Sequence, residues 1–310
     1  MTVDGPAAIA VMFPGQGAQH PGLGAPWRDQ PAWSVVERAA EVLRRPVAPM
    51  ADLLLDPDVT HHRTEDAQLA VLLVSLMAWE SVAPSLGRPV AMGGHSLGQV
   101  TALIAAGVLA FEDGIRLAAR RAAHTQGAAD HRPGRMVALL GATTTQAEEA
   151  CAAAPDACWL ANDNAPGQAV VAGTPEGVAA ASARAGAIGV RRVVPLAVDG
   201  AFHTPLMAEA AEALATDLWL VDLHHPAVPV VANHDARLYH DAEGWRARLV
   251  DHLVRPVRWR QSVRTMIDAG ATELVEIGPG EILAGLARRI APGASVRSIG
   301  SPLQEVAPCH

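Results

Sequence analysis

The chain has 310 residues, of which half are hydrophobic and 18% are charged, and its formal net charge is −8. A chain of this length and composition can bury a large core, so we expect one large globular domain or one with an inserted subdomain. All 24 basic residues are arginine, which excludes a P-loop lysine, a Schiff-base lysine and a Ser-Lys dyad. The net negative charge argues against nucleic acid as the main partner.

The first predicted strand is the unbroken apolar run from Ala7 to Phe13. The Gly-rich loop after it, Pro14–Gln19, lacks the third glycine of a dinucleotide-binding fingerprint. It still places flexible backbone at the carboxyl end of a strand, where α/β sheets build their sites. The longest apolar run, Leu69–Trp79, is too short to span a bilayer. With the capping signal Thr64–Asp66 before it, this region predicts a helix.

The cysteines indicate the redox setting. Cys151, Cys158 and Cys309 show no C-x-x-C spacing, so we expect neither a zinc site nor a disulfide framework. No basic-then-apolar secretion signal opens the chain. Both observations favour a reducing, cytoplasmic location.

Residues 94–98 read Gly-His-Ser-Leu-Gly, after the apolar run Pro89–Met92 and before a predicted helix from Leu97 to Gly107. A G-x-S-x-G sequence between a strand and a helix is typical of a nucleophile elbow, in which glycines allow a sharp turn. Ser96 is therefore the candidate nucleophile, and the helix would aim its first N–H groups at a developing oxyanion. The alternative is that Ser96 is merely a small residue in a Gly-rich turn.

A second helix begins at Phe111–Asp113 and carries Arg120 and Arg121. Strands that alternate with long helices in this way predict an α/β fold with a largely parallel sheet. After the middle of the chain, we expect further strands at Pro229–Val231, Glu273–Ile277 and Val296–Ile299, and a turn at Gly278–Leu283 that begins a helix.

Between residues 134 and 198 the order of the predicted elements changes. The strands are Met136–Leu140, Trp159–Asn162, Ala169–Ala172 and Val190–Leu196, and helices begin at a capping box, Thr145–Glu148, and at Thr174–Glu176. The order β-α-β-β-α-β is that of the ferredoxin-like split unit. We therefore predict an α/β-hydrolase-like catalytic domain, formed by residues 1–133 and 199–310, with a ferredoxin-like subdomain inserted at 134–198.

Ser96 needs a base, because an unassisted serine hydroxyl is a poor nucleophile. Among 13 histidines, His203 lies at the junction of the two predicted domains, in a loop after an apolar strand. His95 adjoins the nucleophile, but neighbouring side chains diverge on a sharp turn. His224 and His225 have no such setting. His203 is the best candidate, and a structural role for it stays open.

Five motifs, in this order, resemble those of malonyl-CoA:acyl-carrier-protein transacylases and the related acyltransferases of polyketide synthases. They are residues 15–19 (Gly-Gln-Gly-Ala-Gln), 94–98, Arg121, residues 200–203 (Gly-Ala-Phe-His) and residues 278–280 (Gly-Pro-Gly). The resemblance covers nearly the whole chain, and it implies the same inserted ferredoxin-like subdomain.

The resemblance implies a catalytic role for each matching residue. Ser96 matches the nucleophile and His203 the base, which work as a dyad. The main-chain carbonyl of His252 would orient the base, at a position where relatives usually carry glutamine. The backbone N–H groups of Gln16 and Leu97 match those of the oxyanion hole.

Arg121 matches the arginine that holds the carboxylate of malonate. A planar guanidinium suits this role because it binds a carboxylate bidentately and stays charged when partly buried. Without the resemblance, a surface helix arginine like Arg120 is an equal alternative. Phe202 sits where malonyl-selective relatives have phenylalanine and relatives that take branched extenders have smaller residues.

Three polar residues match positions that line the site in the family. Gln68 matches a site-lining glutamine, although Leu69 replaces the proline that commonly follows it. Asn162 and Asn164 match asparagines near the thioester arm.

The resemblance implies a ping-pong acyltransferase of fatty-acid or polyketide biosynthesis. Ser96 would take a malonyl or related acyl group from CoA and pass it to the phosphopantetheine thiol of an acyl carrier protein. No metal or redox cofactor is expected, and we expect a monomer that binds neither membrane nor nucleic acid. Carrier proteins are usually acidic, and the candidate basic residues for docking one are Arg191, Arg192, Arg288, Arg289 and Arg297.

Three alternatives stay open. A discrete polyketide acyltransferase could move a non-malonyl acyl group between carrier proteins. A serine thioesterase or hydrolase would share the elbow and would use Asp199 as the acid behind His203, but it leaves Arg121 and the inserted subdomain unexplained. A non-catalytic module that docks a carrier protein would not need Ser96, His203 and Gln16.

Overall fold

The computed structural model describes residues 7–58, 63–198 and 200–302. In this part of the chain the strands are β1 (Ile9–Phe13), β2 (Ala91–Gly94), β3 (Arg135–Leu140), β4 (Cys158–Ala165), β5 (Gln168–Gly173), β6 (Arg192–Pro195), β7 (Val230–Val231), β8 (Leu238–Tyr239), β9 (Glu273–Ile277) and β10 (Ser295–Ile299). The helices are α1 (Ser34–Leu43), α2 (Val47–Leu55), α3 (Thr64–Leu86), α4 (Leu97–Ala105), α5 (Phe111–His131), α6 (Thr144–Cys151), α7 (Pro175–Ala187), α8 (Ala208–Leu218), α9 (Trp245–Val254), α10 (Trp259–Asp268) and α11 (Ile282–Ile290).

The larger sheet of the described residues has the strand order β10-β9-β1-β2-β7-β8. All its neighbouring strands are parallel except β8, which pairs antiparallel with β7. The central strand β1 is buried on both faces: Val11 and Phe13 pack in one core cluster, and Ala10 and Met12 in another. Because successive side chains of a strand point to opposite faces, burial on both sides requires the unbroken apolar run seen in the sequence.

The smaller sheet of the described residues has the order β4-β5-β3-β6, with every neighbouring pair antiparallel. Helices α6 and α7 cover one face, where Val137 and Leu139 pack against them. The other face carries Met136, Ala138 and Val170, which pack around Ala201. The predicted ferredoxin-like unit and the α/β fold class are confirmed. The domain limits, 1–133 and 199–310 against 134–198, stay a prediction.

The capping box of α6 lies two residues earlier than predicted, so the prediction at Thr145–Glu148 is wrong. Thr143 Oγ1 accepts the N–H of Gln146 at 3.1 Å, and Gln146 Oε1 accepts the N–H of Thr143 at 3.0 Å. The Thr-x-x-Gln spacing and the later Thr-x-x-Glu spacing both fit the sequence. The capping box with Thr143 forms because the chain turns at Gly141 (φ 86°), directly after β3. The backbone is then extended at Thr143, the residue that caps the helix.

Helix α3 extends beyond the predicted apolar run at both ends and has 23 residues. By length and composition it is long and apolar enough to cross a membrane, unlike the shorter run predicted from the sequence. Most of its apolar stretch is buried inside the protein, where Leu72, Leu73 and Leu76 join the largest core cluster. The core of the larger domain accounts for this composition.

Strand β4 joins the smaller sheet to the larger domain. The N–H of Asp163 donates to the carbonyl of Val257 at 2.9 Å, and the N–H of Val257 donates to Ala161. The Asp163 carboxylate is buried, with 3% exposed, and accepts Arg260 Nη2 of α10 at 2.8 Å. These bonds fix the predicted site asparagines, Asn162 and Asn164, within β4, which runs to Ala165 and so extends beyond the predicted end of this strand at Asn162.

Candidate active site

The elbow turns sharply between β2 and α4. Ser96 has φ 53° and ψ −111°, a conformation that costs a non-glycine residue of order 1–3 kcal/mol. A Cβ on Gly94 would lie 1.9 Å from the carbonyl oxygen of Gly98, and one on Gly98 would lie 2.1 Å from that of Phe13. Both positions therefore require glycine, because backbone approaches too closely for any side chain.

Ser96 and His203 are in direct contact. Ser96 Oγ lies 2.9 Å from His203 Nε2, and His203 Nδ1 lies 2.7 Å from the main-chain carbonyl oxygen of His252. Since a carbonyl only accepts, Nδ1 must carry the proton, and Nε2 is left to accept the serine O–H. This is the tautomer that a general base needs. His95 points elsewhere, with Nε2 2.8 Å from Asn164 Oδ1, so the two neighbouring side chains do diverge.

The imidazole of His203 is held neutral. Burial lowers the pKa of His203 to about 3, and the positive charge of Arg121 adds to the effect, while the hydrogen bond to His252 opposes it. Burial also lowers the pKa of His95 and takes that of His252 well below its usual value. At neutral pH His203 is therefore ready to accept a proton.

We expect no loss of acylation rate near pH 6.5. A histidine of ordinary pKa would be about tenfold less available at pH 5.5 than at high pH, whereas His203 loses its base form only near pH 3. The measurement is the second-order rate of acyl-enzyme formation from pH 5.5 to 8, which reports the free enzyme. Thermal midpoints are recorded in parallel, because His203 binds a proton more readily when unfolded and stability falls below pH 6.5. A drop in rate with a midpoint near pH 6.5 would contradict the neutral, buried base.

The ring of His252 lies against the ring of His203. The two imidazoles stack with centroids 5.0 Å apart and planes inclined by 25°. His252 is 1% exposed, and neither of its ring nitrogens has a hydrogen-bond partner among the described residues. The orienting contact comes from the backbone, which glutamine or histidine supplies equally, so the exchange of residue type leaves that bond intact.

Arg121 lies beside Ser96. Its Nη1 donates to Gln68 Oε1 at 2.5 Å and its Nη2 to Ser96 Oγ at 3.2 Å. The residue is 4% exposed, and burial lowers its pKa to about 10, so it stays charged at neutral pH. Arg120 instead lies at the surface and pairs with Asp217 at 2.5 Å. Of the two adjacent arginines, Arg121 is therefore buried beside Ser96 and Arg120 lies at the surface. The sequence alone left both positions open for Arg121.

The two residues predicted to form the oxyanion hole, Gln16 and Leu97, lie against and within the elbow. Leu97 is the first residue of α4, and the loop of Gln16 touches the elbow, since a Cβ on Gly15 would lie 2.2 Å from the carbonyl oxygen of His95. Within the described residues, the N–H groups of Leu97 and Gln16 make no hydrogen bond. The N–H of Ser96, by contrast, donates to Asn233 Oδ1 at 2.8 Å.

A cavity of about 490 Å³ opens onto Ser96 between the two sheets. The smaller sheet and α11 supply an apolar wall that includes Met136, Val170 and Leu286. Most of the predicted site residues line the cavity together: Gln16, Gln68, Ser96, Arg121, Asn162, Asn164, Phe202 and His203. His95, which was not predicted as a site residue, lines it as well. Leu97 follows Ser96 in the elbow, and His252 contacts His203 through its carbonyl, so both lie next to this group.

Other predictions concern residues outside this cavity. Asp199, the acid of the hydrolase alternative, lies outside the described residues, as does Cys309. Cys151 and Cys158 are buried free thiols with their sulfurs 3.9 Å apart. In the described ranges, no group of three or more histidine, cysteine, aspartate or glutamate side chains is arranged to hold a metal ion.

Sequence reasoning missed two buried polar groups that support the site. Asn233 is fully buried and bonds to the backbone of the elbow. Glu276 accepts the N–H groups of Leu283 and Ala284 at 3.1 and 2.7 Å, and so holds the start of α11; burial raises its pKa to about 7. Asn233 follows β7, and Glu276 lies near the end of β9. The signal that could have identified them is a polar residue at the carboxyl edge of the parallel sheet.

Comparison with known proteins places this geometry in context. Residues 11–300 match the family described as the acyl transferase domain. The chain is 35% identical to the malonyl CoA-acyl carrier protein transacylase of Bacillus subtilis, over 91% of this chain and 90% of that protein. It is similar to a crystal structure of a malonyl-CoA:acyl carrier protein transacylase from Xanthomonas oryzae, with a TM-score of 0.89, 36% identity and coverage of 96% and 95%.

A further solved structure holds a malonyl-transacylase in complex with its type II polyketide synthase acyl-carrier protein. The chain is similar to that transacylase with a TM-score of 0.88 and 34% identity, over 95% of this chain and 96% of the other.

Proposed function

The chain belongs to the acyl transferase domain family and is an acyltransferase, and from this premise we propose that it moves a malonyl group from CoA to an acyl carrier protein. The observation that carries the proposal is the position of a buried, charged guanidinium, Arg121, 3.2 Å from the hydroxyl of Ser96. A carboxylate bound by Arg121 keeps the attached thioester close to the nucleophile. Relatives named for malonyl transfer share about a third of the sequence.

The first half-reaction loads the enzyme. His203 Nε2 takes the proton of Ser96 while Oγ attacks the thioester carbonyl, and the N–H groups of Gln16 and Leu97 stabilise the oxyanion. The carbon–sulfur bond then breaks, and His203 returns the proton to the departing CoA thiolate. The product is a malonyl ester on Ser96.

The second half-reaction runs the same steps towards the carrier. The phosphopantetheine thiol gives its proton to His203, its sulfur attacks the ester, and Ser96 leaves with the proton restored. Both halves balance with the donor thioester, the enzyme and the acceptor thiol, so we propose that no metal or redox cofactor takes part.

Phe202 supports a preference for malonyl. Its ring lines the cavity and packs against the smaller sheet, where it would crowd an α-methyl group on the acyl chain. One methyl group is worth only about 1–3 kcal/mol of discrimination. We therefore propose preference without exclusion, and a carrier-bound donor or a related acyl group stays an alternative substrate.

Intact-protein mass spectrometry tests the proposal. The enzyme is incubated with malonyl-CoA, methylmalonyl-CoA or acetyl-CoA, and the added mass identifies the acyl group that it accepts. Malonyl is expected to load fastest. Preferred loading of acetyl, or no loading from any of the three, would overturn the proposed donor.

The lifetime of the acyl-enzyme separates the transferase from a hydrolase. The base is oriented by a carbonyl of His252, and a malonyl group held by Arg121 leaves water little room to approach the ester. We expect the malonyl-enzyme to persist for minutes or longer in buffer and to discharge rapidly when a holo carrier protein is added. A quenched time course measures both rates.

Asp199→Asn is the control for this measurement, because a hydrolase would use that carboxylate and the transferase would not. We expect the variant to match the wild type. Rapid decay in buffer that Asp199→Asn slows would favour the hydrolase instead.

We propose that the carrier protein approaches beside the cavity, where arginines offer positive charge to an acidic partner. Arg289 bonds to Pro166 and to Gln168, and Gln168 lines the cavity. Arg191 and Arg192 are exposed on the smaller domain, whereas Arg297 is already paired with Glu273 at 2.5 Å. We further propose that the enzyme works as a monomer in the cytoplasm, where the buried thiols stay reduced.

A further inference from the structure

The strained backbone of Ser96 must be held by its surroundings, since an unfavourable conformation persists only where neighbouring contacts fix it. One side chain contacts the elbow on both sides of residue 95. Asn233 Oδ1 accepts the N–H of Ser96 at 2.8 Å, and Asn233 Nδ2 donates to the carbonyl of Gly94 at 2.7 Å. A single amide therefore fixes the two peptide groups that flank His95.

The backbone of Asn233 is fixed as well. Its N–H donates to Gln99 Oε1 of α4 at 2.7 Å, and its carbonyl accepts the N–H of Arg258 at 2.8 Å. Asn233 and Gln99 are both fully buried, where hydrogen bonds are strong and an unmet group is costly. Arg258 ends the short segment that follows His252, whose carbonyl orients the base. The asparagine thus links the elbow to Arg258, six residues after the carbonyl that contacts His203.

We infer that Asn233 is a positioning residue, which holds the nucleophile elbow in its strained conformation and in register with the base. It does not line the cavity, so it acts on the substrate only through Ser96. By occupying the N–H of Ser96 it also leaves the oxyanion to Gln16 and Leu97 alone. The inference rests on the proposed function only where malonyl-CoA is used as the substrate. Any other acylation or phosphonylation of Ser96 needs the same elbow and tests the inference equally.

The expected effect is on the rate of Ser96 and not on binding. Asn233→Leu keeps the branched shape and the number of side-chain heavy atoms but removes both bonds, and a displacement of about 1 Å at the reacting atoms costs roughly 10²-fold. Acylation by saturating malonyl-CoA should therefore slow about 10²-fold, with little change in the concentration for half-maximal rate. The matched control is Thr101→Val, on the same helix as Gln99. Its buried hydroxyl has no partner in the described structure, and the variant should stay within twofold of the wild type.

Asn233→Asp gives a sharper test through pH. A neutral carboxylic acid reproduces the asparagine, since its carbonyl accepts from Ser96 and its O–H donates to Gly94. An ionised carboxylate instead faces the Gly94 carbonyl without a proton to donate, and burial raises the pKa at which this happens. The rate of Asn233→Asp relative to the wild type should therefore rise as the pH falls from 8.5 to 5.5.

Dividing the rate of Asn233→Asp by the wild-type rate at each pH cancels the effect of the other titrating groups, which both proteins share. The charged or titratable groups on the surrounding elements are His95, Arg121, His203, His234, Asp235, Asp251, His252, Arg255 and Arg258.

A fluorophosphonate probe separates this inference from the proposed function. Ser96 Oγ attacks its phosphorus, His203 takes the serine proton, and the phosphorus–fluorine bond breaks to release fluoride. No malonyl group or CoA is needed. If the wild type reacts with the probe but not with malonyl-CoA, the proposed function fails and the Asn233 variants are still compared by labelling rate. Labelling amplitude reports the fraction of folded sites in each variant.

A positioning role predicts full amplitude with a slow rate for Asn233→Leu, and a pH-dependent recovery for Asn233→Asp. If Asn233→Leu does not fold, the pH ratio of Asn233→Asp decides. A normal rate per labelled site in both variants, or a constant Asn233→Asp ratio across the pH range, would overturn the inference.

Discussion

Replacing Ser96 with alanine is expected to abolish the malonyl-enzyme and the transfer of malonyl to a carrier protein together. The two losses coincide because a ping-pong scheme passes every acyl group through one oxygen atom. Ser96 Oγ is the hydroxyl that lies 2.9 Å from His203 Nε2. Intact-protein mass spectrometry after incubation with malonyl-CoA measures the first loss, and formation of malonyl carrier protein measures the second.

His203→Ala should leave the nucleophile in place without its base. General-base catalysis contributes typically 10²–10⁴-fold, so we expect acylation to slow by a factor in that range and not to vanish. Ser75→Ala is a suitable control, because Ser75 is fully buried and its hydroxyl has no partner among the described residues.

A malonyl group that still becomes attached to Ser96→Ala would assign the nucleophile to another residue.

The elbow was predictable because its chemistry is local. Gly94 and Gly98 are required by backbone contacts of less than 2.5 Å from any added Cβ, and the strand and helix on either side show in the pattern of apolar residues. The ferredoxin-like unit was predictable for the same reason, since each of its elements has its own apolar period or cap. The family is confirmed, and the roles of the individual site residues stay predictions.

Contacts between distant segments were not predictable in this way. Asn233 lies 137 residues from Ser96 along the chain. Its position after a strand marks it as a polar residue at the sheet edge, but not as a partner of the elbow. The stacking of His252 on His203 depends on how α9 packs, and the resemblance indicated only its carbonyl. The capping box was misplaced because two spacings fit and the end of β3 decides between them.

The contrast between Arg121 and Arg120 shows where tertiary structure settles an ambiguity. Both residues lie on one helix and have the same side chain. The position of α5 turns Arg121 towards Gln68 and Ser96, while Arg120 meets Asp217 of α8 at the surface. The apolar pattern of the helix alone does not separate two adjacent positions at the edge of its buried face.

Arg121→Ala is expected to change the acyl group that the enzyme prefers. The variant loses the guanidinium that we propose binds the malonyl carboxylate, and loss of one partner of a buried, hydrogen-bonded charge pair costs about 2–5 kcal/mol. Malonyl loading should therefore fall by roughly 30-fold to several thousandfold. Loading of acetyl, which has no carboxylate, should hold or improve, because Ser96 and His203 keep their own contact.

The adjacent Arg120→Ala is the matched control for this prediction. It removes the same side chain from the same helix, but the arginine that it removes is about half exposed. Its partner Asp217 keeps a second contact, with His124 Nε2 at 2.8 Å. Exposed ion pairs contribute only about 0–1 kcal/mol, so both donors should load at near the wild-type rate. Rates of acyl-enzyme formation from malonyl-CoA and acetyl-CoA are compared for the three proteins. Equal losses of both donors in Arg121→Ala would make Arg121 a structural residue, since a general distortion of the site cannot distinguish a charged acyl group from a neutral one.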